Sequence, residues 1–108
     1  MFASNFTIDN KYLTHIRGFE NLTVYEQSKT IGRKGNTMAN YFCKTCGTLM
    51  YRVGSGFPGQ SILRIGTVDD FRLHETKLKP QAEFFMDTRP NWLPGVEGIK
   101  KYKDMSEF

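Results

Sequence analysis

The feature that most constrains the fold of this chain is a Cys-x-x-Cys-Gly turn, formed by Cys43, Cys46 and Gly47. Residues 37–42 lead into the turn and residues 48–53 lead out of it, and both runs are typical of β-strands. Two such runs joined by a short turn containing glycine predict a β-hairpin with both cysteines at its tip. Two thiolates at this spacing can face one Zn²⁺, so the turn is half of a structural zinc site, which normally has four ligands.

The source of the remaining two ligands is open, because Cys43 and Cys46 are the only cysteines. One interpretation is a zinc shared by two chains, which would produce a symmetric homodimer. A second is a metal-free thiol pair in a reducing cytoplasm. The remaining interpretations are a zinc site completed by histidine or water, and a redox disulfide between the two cysteines. His15 and His74 are isolated in the sequence, which favours hydrogen bonding over metal ligation for each.

A catalytic role of the thioredoxin type is disfavoured for this cysteine pair. The motif is expected in a hairpin turn, which lacks the helix N-terminus that lowers the pKa of a catalytic thiol.

The pattern along the rest of the chain predicts an all-β fold. A length of 108 residues fits a single domain, residues 1–108. Further short β-prone runs occur at residues 2–8, 12–16, 22–25 and 61–68, with an edge strand expected at 82–86 and a short helical or irregular tail at 95–102. Five to seven short strands at this spacing predict an antiparallel sandwich or tent.

Charge and hydropathy narrow the class of protein. Fifteen Lys and Arg against eleven Asp and Glu give a net charge of +4, and these charges are dispersed along the chain. A dispersed charge without interleaved aromatic residues argues against nucleic-acid binding. No apolar run approaches the roughly 20 residues of a membrane span, and the N-terminus lacks the pattern of a secretory signal. The sequence therefore predicts a soluble, cytoplasmic protein with no membrane partner.

An ordered set of motifs carries a resemblance to a known family: residues 42–51, the Gly66-Thr-Val-Asp-Asp70 strand end, Pro80 and Trp92. Together they resemble the glutathione-dependent formaldehyde-activating enzymes, also called the centromere protein V family, whose fold is Mss4-like, and the fungal members above all. The resemblance implies a β-tent fold, zinc binding and an activity of the carbon–sulfur lyase class.

The resemblance also implies what this chain lacks. In relatives an upstream Cys-x-Cys completes the zinc site at the positions of Cys43 and Cys46, and a second upstream cysteine cluster holds the catalytic zinc. Neither cluster occurs in this chain. Residues 1–6 resemble the strand that follows the second cluster, so we expect an N-terminally truncated member without the parent catalytic zinc.

Five residues are predicted to line a small-molecule pocket, because arginine pairs with carboxylates and aromatic rings stack on planar ligands. They are Tyr51, Arg64, His74, Arg89 and Trp92. For Trp92 the alternative is a packing anchor for the C-terminal segment. Asp69 and Asp70 are interpreted as a turn that ends a strand.

Three functional hypotheses follow. The first is a member of this family acting on a glutathione adduct or another small molecule. The second is a zinc-independent small-molecule enzyme that uses acid and base groups. The third is a non-catalytic binding module, in which an exposed sheet edge docks a partner. Missing strands would expose apolar residues, so we expect a homodimer. A pocket that gathers the predicted residues would favour an enzyme, and a flat apolar face would favour the module.

Overall fold

The computed structural model describes residues 2–29, 31 and 35–105. Over these residues it contains strands and short 3₁₀ segments and no α-helix, which confirms the all-β prediction. The strands are β1 (Asn5–Asp9), β2 (Leu22–Gln27), β3 (Met38–Cys43), β4 (Leu49–Gly54), β5 (Gln60–Arg64), β6 (Ala82–Glu83) and β7 (Lys100–Lys101). The 3₁₀ segments are Asn10–Tyr12, Phe19–Asn21, Ile65–Thr67, Phe71–Glu75 and Met86–Thr88.

The chain divides into two compact units, Met1–Asp70 and Phe71–Phe108. The prediction of a single domain over the whole chain stays a prediction. In the first unit the strands form one antiparallel sheet in the order β1-β5-β4-β3-β2. The β3–β4 hairpin carries the cysteine turn at its tip, as predicted, and its register shifts between Tyr41 and Phe42, close to the turn. Such a shift bends the strand pair and re-aims neighbouring side chains.

The register of the sheet separates the side chains of the first unit onto two faces, because successive side chains on a strand point to opposite sides. Tyr51 pairs with Leu63, and its neighbour Arg52 pairs with Ile62. One face, here called the aromatic face, carries Phe6, Val24, Tyr41, Cys43, Tyr51 and Leu63. The other, here called the arginine face, carries Asn5, Thr7, Tyr25, Asn40, Arg52, Ile62 and Arg64.

The core of the first unit is small. The least exposed of the described side chains are Met38, Ala39, Tyr51, Ser61 and Ile65. The hydroxyl of Ser61 donates a hydrogen bond of 2.6 Å to Asn10 Oδ1, so this buried polar group has a partner. Most large apolar side chains of the unit are thus only partly covered.

Several predicted strands have other bounds in the structure. The run 2–8 is a strand only from Asn5, and it extends to Asp9. Residues 12–16 form no strand, and the prediction there is wrong. Instead, the backbone N–H of Asn10 bonds to the carbonyl of Gly59 at 2.9 Å and the chain turns through a 3₁₀ segment. Strand propensity depends on a partner strand, and this segment has none in the described sheet. The run 61–68 is a strand only as far as Arg64, whose carbonyl accepts a hydrogen bond of 2.7 Å from Thr67 Oγ1.

The second unit is built around a pair of two-residue parallel strands, β6 and β7. The rings of Phe84 and Tyr102 stack beside them with centroids 5.1 Å apart. The expected edge strand at 82–86 is thus two residues long, and the tail at 95–102 is irregular except for β7. Across the part of the chain that the structure describes, no helix has the length and hydropathy to cross a membrane.

Candidate functional site

The cysteine turn is closed by backbone hydrogen bonds. The N–H of Cys43 donates to the carbonyl of Thr48 and the N–H of Gly47 donates to the carbonyl of Cys43, both at 2.8 Å. Gly47 has φ of 78°, a left-handed conformation that residues with a Cβ adopt only at a cost. Glycine at this position therefore lets the chain reverse directly after Cys46.

Asn21 ties this turn to the neighbouring strand. It ends the 3₁₀ segment before β2, and its carbonyl accepts a hydrogen bond of 2.8 Å from the N–H of Lys44. Its side-chain Nδ2 lies 3.0 Å from Thr45 Oγ1 and 3.5 Å from Cys43 Sγ. Asn21 thus contacts the turn backbone through its main-chain carbonyl and a sulfur and a hydroxyl of the turn through its side-chain amide, which holds the turn in a defined position.

The two sulfurs differ in environment. Cys43 is half-buried, whereas Cys46 is exposed, and both thiols are free. Hydrogen bonding by the Thr48 side chain, whose Oγ1 lies 3.2 Å from Cys46 Sγ, is the main cause that lowers the pKa of the Cys46 thiol. The backbone of Thr48 and the neighbouring Cys43 thiol lower it further. A lowered pKa raises the thiolate fraction, which is the form that binds metal and attacks electrophiles.

The cysteine turn supplies two of the ligands that a structural zinc ion requires. A structural zinc site has four ligands from cysteine or histidine in most cases. Among the described residues, no group of three or more His, Cys, Asp or Glu side chains comes together. The two thiols therefore match half of a zinc site, and the described residues of one chain do not fit a complete one.

An aromatic cluster lies on the same face of the sheet as Cys43. The rings of Tyr41 and Tyr51 stack with centroids 4.8 Å apart, and His15 Nε2 lies 2.9 Å from the hydroxyl of Tyr51. The ring of Phe19 packs edge-on against His15, with centroids 4.8 Å apart. Since Tyr41 and Cys43 are two residues apart on β3, the cluster lies beside the cysteine turn.

Burial affects the pKa of the Tyr51 phenol. The residue is only 8% exposed, and this burial raises the pKa of its hydroxyl, with a smaller contribution from Tyr41. A tyrosine phenol is already neutral at neutral pH, and the raised pKa extends this neutral, hydrogen-donating form to higher pH. A buried phenol hydrogen-bonded to an imidazole is an arrangement suited to moving one proton.

The five predicted pocket residues are divided between the two units of the structure. Tyr51 belongs to the aromatic face and Arg64 to the arginine face, so the sheet separates them. His74, Arg89 and Trp92 belong to the second unit. The five-residue pocket as one site stays a prediction.

Within the second unit, the three predicted residues have different surroundings. His74 packs edge-on against Phe71, Arg89 lies 3.7 Å from Glu83 Oε2, and Trp92 is 69% exposed. A groove of about 730 Å³ in this unit is lined by other residues, among them Lys79, Lys100 and Tyr102.

Sequence reasoning missed His15, Phe19 and Asn21 as members of the site. His15 was noted only as isolated, and no local pattern pairs it with Tyr51, which lies 36 residues further along the chain. Phe19 and Asn21 lie in a 3₁₀ segment that carries no motif. The sequence offers one signal for this site. A histidine and an aromatic residue, His15 and Phe19, occur in the same short segment before β2, and such side chains need neighbours to pack against.

The fold and the site define an all-β protein with a Cys-x-x-Cys hairpin beside an aromatic face. The family model of the glutathione-dependent formaldehyde-activating enzymes matches residues 1–88. Since this match covers most of the chain, the protein belongs to that family. No curated protein and no solved structure matches the chain.

Proposed function

We propose that this protein carries out the carbon–sulfur chemistry of its family, acting on the adduct of glutathione with formaldehyde or on a similar thiol adduct of an aldehyde. The observation that carries the proposal is the family match, which includes both the cysteine turn and the aromatic cluster. These two features share one face of the sheet. The substrate would lie against that face, beside Cys43 and Tyr51.

The chemistry needs one proton to move at a carbonyl oxygen. When a thiol adds to formaldehyde, sulfur bonds to the carbonyl carbon, the thiol proton leaves to solvent, and the carbonyl oxygen takes up a proton. The reverse reaction breaks the carbon–sulfur bond and returns the thiol and the aldehyde. A group at the oxygen lowers the barrier if it donates this proton during addition and accepts it back during the reverse reaction.

The His15–Tyr51 pair supplies such a donor. Tyr51 would donate its hydroxyl proton to the oxygen, and His15, 2.9 Å away, would return one. The ring of Tyr41, stacked on that of Tyr51 at 4.8 Å, favours a fixed position of the phenol. This route uses only groups of this chain and supports the zinc-independent version of the activity.

Exchange spectroscopy tests this proposal. Glutathione and ¹³C-formaldehyde equilibrate with S-hydroxymethylglutathione, and NMR measures the exchange rate with and without protein. We expect the protein to accelerate exchange, and Tyr51→Phe and His15→Ala each to reduce the acceleration by about 10²-fold, the lower end for a general acid. Tyr25→Phe, on the opposite face, is the matched control and should retain the full rate. An exchange rate equal to that of the protein-free mixture would overturn the proposal.

A second candidate is a zinc-bridged homodimer that acts as a binding module. The observation that favours it is the exposed sulfur of Cys46 next to the half-buried Cys43, together with exposed apolar residues in the segment before β2, Ile16 at 87% and Phe19 at 57%. Two copies of the turn would supply the four thiolates of a structural zinc site. Exposed apolar side chains beside the turn would then be covered by the second copy.

Metal content and solution mass test the second candidate together. We expect about one zinc per two chains in a dimer, and loss of both zinc and dimer in the Cys43→Ser, Cys46→Ser double variant. A monomer that binds no zinc in the presence of excess zinc would exclude this candidate. The exchange assay is independent of this result, because the proton donor lies outside the turn.

A further inference from the structure

The arginine face brings two guanidinium groups together. Arg52 on β4 pairs with Ile62 on β5. Arg64 lies two residues after Ile62 on β5, so its side chain is on the same face as that of Arg52. Such diagonal neighbours lie within reach of long side chains. Both residues are half-buried, so each keeps part of its surface accessible to solvent.

Neutral amides, rather than carboxylates, hold these two arginines. Arg52 Nε donates a hydrogen bond of 2.8 Å to Asn40 Oδ1, and Arg64 Nη1 donates one of 2.8 Å to Asn5 Oδ1. A guanidinium carries five N–H donors in a rigid fork. These are the hydrogen bonds that the two side chains make among the described residues, so most of the donors on both forks have no partner within that part of the chain.

The positive charge of the pair is not compensated within the part of the chain that the structure describes. No carboxylate there lies within ion-pair distance of Arg52 or Arg64. The acid on this face is Asp9, which pairs with Gln60 and so lies further along the sheet. Burial, and after it the charge of Arg64, lowers the pKa of Arg52, in keeping with the position of the two arginines on one face.

We propose that Arg52 and Arg64 form a binding site for a small oxyanion, a carboxylate or a phosphate, on the face of the sheet opposite the cysteine turn. The anion would lie between the two forks and accept their unused N–H groups, which removes the repulsion between like charges. Asn40 and Asn5 are positioning residues that fix the forks. The site is separate from the aromatic face and independent of the carbon–sulfur activity.

The size and surroundings of the pair limit the class of ligand. One pair of arginines matches a single carboxylate or phosphate group, and a nucleic-acid backbone would need a longer basic track. Ile62 lies beside Arg52 on this face, and Tyr25 lies beyond Asn40 and is 58% exposed. An anionic metabolite with a small apolar portion fits these neighbours.

NMR titration of ¹⁵N-labelled protein tests the proposal, with the arginine Nε–Hε resonances as the readout. Sodium phosphate and sodium succinate are titrated separately at constant ionic strength, with chloride as the balancing anion. We expect saturable shifts of the Arg52 and Arg64 signals with one probe or both. Stronger binding of phosphate indicates a phosphorylated ligand, and stronger binding of succinate a carboxylate.

Variants separate a built site from general charge. Arg52→Gln and Arg64→Gln should each weaken binding at least about tenfold, whereas Arg17→Gln, an exposed arginine elsewhere, should leave it unchanged. Asn40→Ala keeps both positive charges but removes the hydrogen bond that positions the Arg52 guanidinium. It should weaken binding by a smaller factor than either arginine substitution. This variant keeps the test valid if removal of an arginine disturbs folding.

Three results would overturn the proposal. The first is the absence of a saturable shift with either probe. The second is an equal response when chloride alone is raised. The third is equal weakening by Arg17→Gln, which would show that only the net charge matters.

Discussion

The His15–Tyr51 hydrogen bond gives the sharpest quantitative prediction. Tyr51→Phe removes only the hydroxyl and keeps the ring, which is 8% exposed and stacked on Tyr41 at 4.8 Å. An intramolecular hydrogen bond contributes about 0.5–1.5 kcal/mol to stability. Because His15 is exposed, its Nε2 can bond to water in the variant and leaves no unsatisfied buried group. We therefore expect a loss of about 1 kcal/mol, or roughly 4–8 °C in Tm for a small unit.

A double-mutant cycle isolates this bond. His15→Ala also removes the ring contact with Phe19, so its single effect should exceed that of Tyr51→Phe. The coupling energy between the two substitutions should be about 1 kcal/mol, measured by urea unfolding at constant m-value. Tyr25→Phe, an exposed tyrosine, is the control and should change stability by less than about 0.5 kcal/mol. A coupling energy indistinguishable from zero would refute the reasoning.

The same residue determines an alkaline pH dependence. The pKa of Tyr51 is raised in the folded state above its usual value of 10.0, so folding favours the neutral phenol. Its contribution to stability is fully present below about pH 10 and is lost as the pH rises through the folded-state pKa. The stability advantage of the wild type over Tyr51→Phe should therefore shrink as the pH rises above about 10. An advantage that grows over this range would contradict the direction of the shift.

Two further predictions concern the cysteine turn. Gly47→Ala should cost about 1–2 kcal/mol in urea unfolding, because φ is 78°, whereas Gly66→Ala, which faces open space without a positive φ, should cost about 0.5 kcal/mol or less. Thr48→Val should raise the pKa of Cys46, seen as a higher pH midpoint for alkylation followed by mass spectrometry. Thr45→Val is the control, since the Thr45 hydroxyl bonds to Asn21 and not to Cys46, and it should leave the midpoint unchanged. A lower or unchanged midpoint in Thr48→Val would contradict the role given to the Thr48 hydroxyl.

Several local features of this fold follow directly from the sequence. Each strand end of the β3–β4 hairpin agrees with the prediction to within one residue, because the turn residues and the flanking strand formers act over a few neighbouring positions. The strand at 22–25 was also predicted and extends to Gln27. The run at 12–16 failed because strand propensity has no effect without a partner.

The candidate site was predictable only in part. Cys43, Cys46 and Gly47 are next to each other in sequence, so their spacing alone identifies a thiol turn. The pairing of His15 with Tyr51 and of Asn21 with Cys43 spans many residues and depends on how the segment before β2 returns to the sheet. The sequence also suggests Tyr51 and Arg64 as neighbours, whereas the register separates them by the thickness of the sheet.

The sequence by itself determined the all-β class, the cysteine hairpin and the family, because each depends on local propensity or on an ordered set of short motifs. Only the tertiary structure decided which side chains share a face. In a sheet with side chains alternating every residue, a shift of one position in pairing moves every side chain to the other side. The register that pairs Tyr51 with Leu63 therefore assigns the proton donor to one face, and it assigns the arginine pair to the other.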